Sequence, residues 1–355
     1  MPDTAGSELL IRREGRAGRV TMNRPQALNA LNYPMVVAFA AVLQQWENDP
    51  DIALIVLDGA GDRGLCAGGD VRALHDTAPQ GSALARQFWS TEYRLNARIR
   101  RYPKPIVTVM DGIVMGGGIG LASHASHRIV TERSQLAMPE TSIGLIPDVG
   151  GTWLLAHAPG DIGTYLGLLG ERMDGTGAIY ANFADWFVPS ARLSELVDAL
   201  ATAGGPVEDT IQSFAQRPAT SHLAERERDI DAAFRFDSIE AIRKALKGMD
   251  SNWAHKTIAE LDRRSPLALK LTLAAVRNAR GLPALEDALN IEFRLTVRLF
   301  EHGEFVEGVR ALLVDKDKAP RWKPPTLAEV SPDMVARFFR PLPDQEALAL
   351  SAPAD

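Results

Sequence analysis

Two short apolar runs, residues 52–57 (Ile-Ala-Leu-Ile-Val-Leu) and 106–110 (Ile-Val-Thr-Val-Met), each lead into a glycine-rich turn and then a helix-like stretch. A continuous apolar run of this length has no polar face, so as a strand it has to be covered on both sides. Short buried strands alternating with helices argue for an α/β fold. A helix at 34–46 precedes the first run, with Met35, Phe39, Val42, Leu43 and Trp46 at helical spacing and Pro34 suited to a first turn. A second helix, 82–101, stops before Pro103, and residues 128–131 form a further strand. Leu9-Leu10-Ile11 and Arg19-Val20-Thr21-Met22, around Gly15 and Gly18, read as a hairpin. Beyond about residue 190 the pattern is helical, including helices at 266–280 and 285–300, and a proline-rich tail follows Pro320. The reading is therefore an α/β core over 1–190 and a helical C-terminal region over 191–355.

The two glycine turns carry the first functional signal. Leu65-Cys66-Ala67-Gly68-Gly69-Asp70 and Gly116-Gly117-Gly118 both lie between a strand and a helix, where small residues let main-chain N–H groups face a ligand. Each can give one N–H to a shared oxyanion hole; losing one such donor typically costs about 3–4 kcal/mol of transition-state stabilisation. The second turn also invites a dinucleotide-binding reading, with Glu132 as the ribose acid, but the third fingerprint position falls on Leu121. The second signal is a pair of acids. Glu140 follows Pro139, Asp148 follows Pro147, and Ile143, Leu145 and Ile146 lie between them. Carboxylates in apolar sequence are costly to bury, which points to acid/base chemistry. Against this, Glu140 also reads as a capping or surface acid, and Asp148 as a turn residue before Val149-Gly150-Gly151.

Other classes are poorly supported. A net charge of −6 gives no basis for nucleic-acid binding or an anionic membrane. The local cations Arg98, Arg100, Arg101 and Lys104 would suit a small polyanion but read first as a solvated helix face. His124 and His127 have no carboxylate to complete a metal set, and no G-x-S-x-G elbow occurs. Cys66, the single cysteine, reads as a packing residue in a reducing compartment. No 18-residue apolar run is present, and residues 1–8 have neither a basic nor an apolar leader segment. The expectation is a cytoplasmic protein.

With these residues in view, the chain resembles the enoyl-CoA hydratase/isomerase (crotonase) superfamily. The matching text is Met22-Asn23-Arg24-Pro25 with Ala27-Leu28-Asn29-Ala30-Leu31, then Cys66-Ala67-Gly68-Gly69-Asp70, Pro103-Lys104-Pro105, Gly116-Gly117-Gly118 and Pro139-Glu140, in the family's order. The resemblance implies a core of repeated β-β-α turns, acyl-CoA thioesters as substrates, and the N–H groups of Ala67 and Gly117 as the oxyanion hole. Gly68, Gly69, Asp70 and Gly116 are implied to flank the bound substrate.

Departures narrow the implied function. Hydratases of this superfamily carry a second glutamate two residues after the third glycine, where this chain has Gly120. Where they commonly carry glycine, this chain has Asp148. That pattern resembles the 3-hydroxyisobutyryl-CoA hydrolase branch, as do an insert at about 205–265 and the segments Phe305-Val306-Glu307-Gly308 and Lys318-Ala319-Pro320-Arg321-Trp322. The same branch implies Glu92 as a substrate-pocket acid, although the residue alone reads as a solvated helix position. The implied activity is hydrolysis of a short 3-hydroxyacyl-CoA, foremost 3-hydroxyisobutyryl-CoA in valine breakdown. Glu140 and Asp148 would be catalytic, with no metal or cofactor beyond the CoA of the substrate. A homo-oligomer, trimer or hexamer, is a further expectation. The alternatives are an enoyl-CoA hydratase/isomerase and a catalytically silent CoA-binding protein.

Overall fold

The computed structural model describes residues 7–352. Residues 1–6 of the leader reading, and the last three of the C-terminal region, lie outside the described residues. The strands are β1 (Leu9–Glu14), β2 (Ala17–Met22), β3 (Leu54–Gly59), β4 (Gly64–Cys66), β5 (Ile106–Met110), β6 (Ile113–Met115), β7 (His127–Val130), β8 (Gln135–Ala137), β9 (Met173–Asp174) and β10 (Trp186–Phe187). They form a six-stranded sheet ordered β1-β2-β3-β5-β7-β10 and a four-stranded sheet ordered β4-β6-β8-β9. The first hairpin is antiparallel as the sequence predicts, and β2, β3, β5, β7 and β10 run parallel. In β3/β4, β5/β6 and β7/β8 the first strand joins the larger sheet and the second the smaller, which is the repeat implied by the resemblance.

Contacts divide the chain into two units interleaved along the sequence. The first takes the chain up to Gly69 with Arg94–Ala137 and Arg172–Ala224, and the second takes Asp70–Tyr93, Met138–Glu171 and the chain from Glu225. The units therefore do not follow a single cut near residue 190.

In the first unit, Leu54 and Val56 of β3 join Ala17, Val107 and Ile129 under Leu196, Leu200 and Ile211, from helices Leu193–Thr202 and Val207–Phe214. The alternate residues Ile55 and Leu57 are fully buried too, so the strand is covered on both faces. The apolar run begins at residue 52, but pairing begins at Leu54, because the N–H of Ile52 turns back to Asp49. Lys104 is no free cation: its Nζ donates to the carbonyl of Asp49 at 2.7 Å, and Arg98 pairs with Glu47 at 2.5 Å. Of the expected basic face, Arg100 and Arg101 are exposed.

The second unit is helical. Helices Pro266–Ala279 and Leu285–His302 occupy the ranges expected for them. Ser265 caps the first, its hydroxyl accepting the Ala268 N–H at 3.0 Å, and Pro266 fills the position that needs no donor. Gly303, in left-handed conformation, ends the second. Trp89 meets Phe300 and Phe305 edge-on at 5.8 Å, and Tyr93 meets Phe293 at 6.1 Å.

Candidate active site

In the first unit, β4 and β6 are parallel neighbours, so the glycine turns leaving their C-terminal ends lie side by side. The fit is tight enough to require glycine at two positions. Gly68 has a φ of +108°, and a Cβ there would stand 3.1 Å from the Met115 carbonyl oxygen and 3.6 Å from the Gly117 nitrogen. A Cβ on Gly118 would meet the Cys66 carbonyl oxygen at 2.3 Å. Gly116 caps the helix Gly117–Ala122, and its own N–H goes to Ala137 at 3.2 Å. Gly117 opens that helix, so its N–H is a first-turn donor that no helix carbonyl can take.

The expectation for Ala67 needs correction. Its N–H donates to the Leu28 carbonyl at 3.0 Å, so the amide implied as an oxyanion donor is already engaged. Two residues on, Gly69 forms a parallel bridge with Leu31, whose N–H goes to the Gly68 carbonyl at 2.8 Å. In such a bridge the partner bonds the residues flanking the central one, which leaves the Gly69 amide directed elsewhere. Asp70, expected near the substrate, accepts the Ala73 N–H at 3.2 Å and so caps the helix Val71–Asp76. Cys66 is fully buried, in keeping with a packing role.

The second unit gathers the acids. Glu140 opens a short 3₁₀ turn, Glu140–Ile143, and is only 5% exposed, which removes the surface-acid reading. That turn is held from several sides: the Thr141 hydroxyl donates to Leu168 at 3.0 Å, and a Cβ on Gly308 would lie 2.3 Å from the Ile143 carbonyl. Asp148, 5% exposed, is both a turn residue and a buried acid. Glu92, 2% exposed on the helix Ala83–Arg100, is not solvated as its sequence context suggests. Oε2 of Glu140 and Oε1 of Glu92 are buried without a hydrogen-bond partner among the described residues.

Burial sets the electrostatics. It drives the Glu140 carboxyl well above its ordinary range, with the charge of Asp148 next and those of Glu292 and Glu92 adding to it. Burial followed by Asp148 does the same to Glu92. Asp148 is raised by burial to about 6, against the hydrogen bond from Tyr93, which lowers it. Burial that holds carboxyls protonated above their ordinary range is how a site prepares acid/base groups. Three residues that sequence reasoning passed over complete the cluster. Tyr93 donates its O–H to Asp148 Oδ2 at 2.6 Å, and Thr296 Oγ1 lies 3.1 Å from that phenol oxygen. Glu292, fully buried, accepts the N–H groups of Gly150 at 2.7 Å and Thr152 at 2.9 Å. The one available signal was spacing: Glu292 and Thr296 are four apart, within the otherwise apolar face of the helix expected at 285–300.

The sequence profile of the enoyl-CoA hydratase/isomerase family matches residues 17–339. The chain belongs to that family. Among curated family proteins it is 39% identical to the mitochondrial 3-hydroxyisobutyryl-CoA hydrolase of Gallus gallus over 347 residues, covering 95% of this chain and 90% of that one. It is 35% identical to the human protein of the same name, with the same coverage. Two solved structures share its fold closely. A carnitinyl-CoA dehydratase from Mycobacterium thermoresistibile superposes with a TM-score of 0.92 at 44% identity, covering 95% of this chain and 98% of that one. An enoyl-CoA hydratase from Rhodobacter sphaeroides 2.4.1 gives 0.91 at 43% identity, covering 97% and 100%. Within this enoyl-CoA hydratase/isomerase family member, no helix of the described residues is long and apolar enough to cross a membrane.

Proposed function

We propose that this protein hydrolyses the thioester of a short 3-hydroxyacyl-CoA, in the first place 3-hydroxyisobutyryl-CoA, releasing 3-hydroxyisobutyrate and CoA. The observation that carries the reading is the pair of buried acids, Glu140 and Asp148, in a chain whose position 120 holds glycine. Adding water across a double bond calls for two acids about the reacting carbons, and the second hydratase glutamate is absent here. Curated relatives named as this hydrolase match over nearly the whole chain.

In the proposed mechanism the thioester oxygen accepts the N–H of Gly117 and, in place of Ala67, that of Gly69. Both donors are rigid and cost no reorganisation as negative charge develops on the oxygen. The Glu140 carboxylate takes a proton from water as it attacks the carbonyl carbon, or attacks that carbon itself to give a mixed anhydride which water then opens. The C–S bond breaks as the water adduct collapses or as the anhydride forms, and the thiolate leaves as free CoA with the proton lost by the water that attacks the carbonyl or opens the anhydride. Asp148 orients the 3-hydroxyl, and Glu92 lines the acyl end. Water and carboxylates suffice for this chemistry. The homo-oligomer expected from the resemblance stays part of the proposal, and light scattering of the purified protein reads it.

The test is thiol release. Purified protein with 3-hydroxyisobutyryl-CoA should liberate free CoA, and a screen of short acyl-CoAs should rank 3-hydroxyacyl groups first. Absence of thiol release from any of them would remove the proposal. A lyase is the second reading, favoured by the names of the two solved structures. It requires crotonyl-CoA to lose its enoyl absorbance with no thiol formed, whereas we expect that absorbance to persist. Single turnover in isotopically labelled water separates the two hydrolytic routes: only the anhydride route leaves solvent oxygen in the Glu140 carboxyl group.

A further inference from the structure

Asp148 is followed by two residues with positive φ, Val149 at +53° and Gly150 at +79°. A β-branched residue in that region is strained by about 1–3 kcal/mol and stays there only where its surroundings hold the backbone. Here one carboxylate grips the chain immediately beyond the strain. Glu292 Oε2 accepts the Gly150 N–H, while its Oε1 accepts both the N–H and the hydroxyl of Thr152. One helical turn further along Leu285–His302, Thr296 holds the phenol of Tyr93, which donates to Asp148 Oδ2. A single stretch of helix thus reaches Asp148 twice, through the backbone that follows it and through the phenol on its carboxylate.

We propose that Glu292 and Thr296 are positioning residues for Asp148, so that helix Leu285–His302 fixes the geometry of the reaction through Gly150–Thr152 and Tyr93. The proposal rests on the reading of Asp148 as a group that orients the substrate. A fully buried acid is a poor choice for stability alone, since an apolar side chain of similar size would avoid its desolvation. Burial pushes the Glu292 carboxyl up to about 7, and the hydrogen bonds from Thr152 and Gly150 act against that rise. The Tyr93 phenol is held well above its ordinary value by burial and then by the charges of Asp148 and Glu292, so it remains a donor. The titratable groups acting with Asp148 are Tyr93, Glu92, Glu140 and Glu292.

The test is a double-mutant cycle on thiol release. Glu292→Gln keeps the shape but leaves one oxygen to serve donors that now use two. We expect kcat to fall roughly 10–100-fold with KM within about threefold, the scale of a misplaced catalytic group. In an Asp148→Asn background the same change should cost less than about twofold, because a residue acting through Asp148 has nothing left to position. Multiplicative losses would overturn the proposal while leaving Asp148 in its role. Asp148→Asn at the wild-type rate would remove that role, and this proposal with it. Thr296→Ser should keep activity and Thr296→Val should lose it. Tyr93→Phe supplies a readout that folding does not move: the phenol bond holds the Asp148 carboxyl down, so losing it should shift to higher pH the limb of the kcat profile to which Asp148 contributes. An unmoved limb would also overturn the proposal.

Discussion

Glu140→Gln should lower kcat for thioester hydrolysis by about 10²–10⁴-fold, the range associated with a positioned acid or base, and the variant should be at least as heat-stable as the parent. The first half follows from the proposed chemistry, because an amide can neither take a proton from water nor attack the carbonyl. The second half follows from the site itself. Oε2 of Glu140 is buried without a hydrogen-bond partner among the described residues, and burial with the nearby acids holds the carboxyl well above its ordinary range. A carboxyl raised in this way favours folding when protonated and opposes it once ionised. Its contribution is therefore fully present below the unfolded carboxyl range and is lost as pH rises through the folded value, which is about 6 for Asp148. Tm should decline across that window in the parent and decline less in Glu140→Gln, where the raised Glu140 carboxyl no longer has to ionise inside the fold. Thiol release and a melting curve at several pH values check both halves. Turnover near the parent's would end the proposed role of Glu140.

Gly118→Ala should be the most damaging one-carbon change in the glycine turns. Its new Cβ would stand 2.3 Å from the backbone oxygen of Cys66, and backbone cannot swing aside as the end of a long side chain can. The two turns would have to separate, carrying the Gly117 amide with them. If that amide holds the developing oxyanion, kcat/KM should drop by roughly 10²–10³-fold, and overpacking should cost about 1–3 kcal/mol of stability. Gly205→Ala is the matched control, because nothing lies within 4 Å of a Cβ at that position. Equal effects at the two positions would contradict the close approach of the turns. A stability loss at Gly118 with kcat/KM intact would instead separate the packing from the oxyanion role.

The two variants probe parts of the molecule that were unequally legible in sequence. The glycine turns could be read because their requirement is local: a turn between a strand and a helix that admits no side chain leaves glycine in the text. Which amide is free could not be read. The engagement of the Ala67 N–H depends on Leu28, nearly forty residues away, so only the folded chain shows that this amide is taken and turns the proposal to Gly69. The acids show the same split. Glu140 and Asp148 stood out because apolar and proline residues surround them, whereas Glu92 sits in a stretch with Arg86, Gln87 and Arg94 and looked solvated. Only the packing of its helix buries it.

Sequence by itself determined the α/β class, the hairpin, the strand–turn–helix order, the two principal acids and, by resemblance, the enoyl-CoA hydratase/isomerase family. Each of these is written in neighbouring residues, as apolar runs, glycine clusters or a contiguous motif. Tertiary structure alone decided the interleaving of the two units and the positions of Tyr93, Glu292 and Thr296 around Asp148. Glu292 lies 142 residues from the backbone it grips, and Tyr93 lies 55 from the carboxylate it holds. Such contacts leave no local pattern, because a buried acid or phenol is identified by its surroundings, which are assembled from distant parts of the chain.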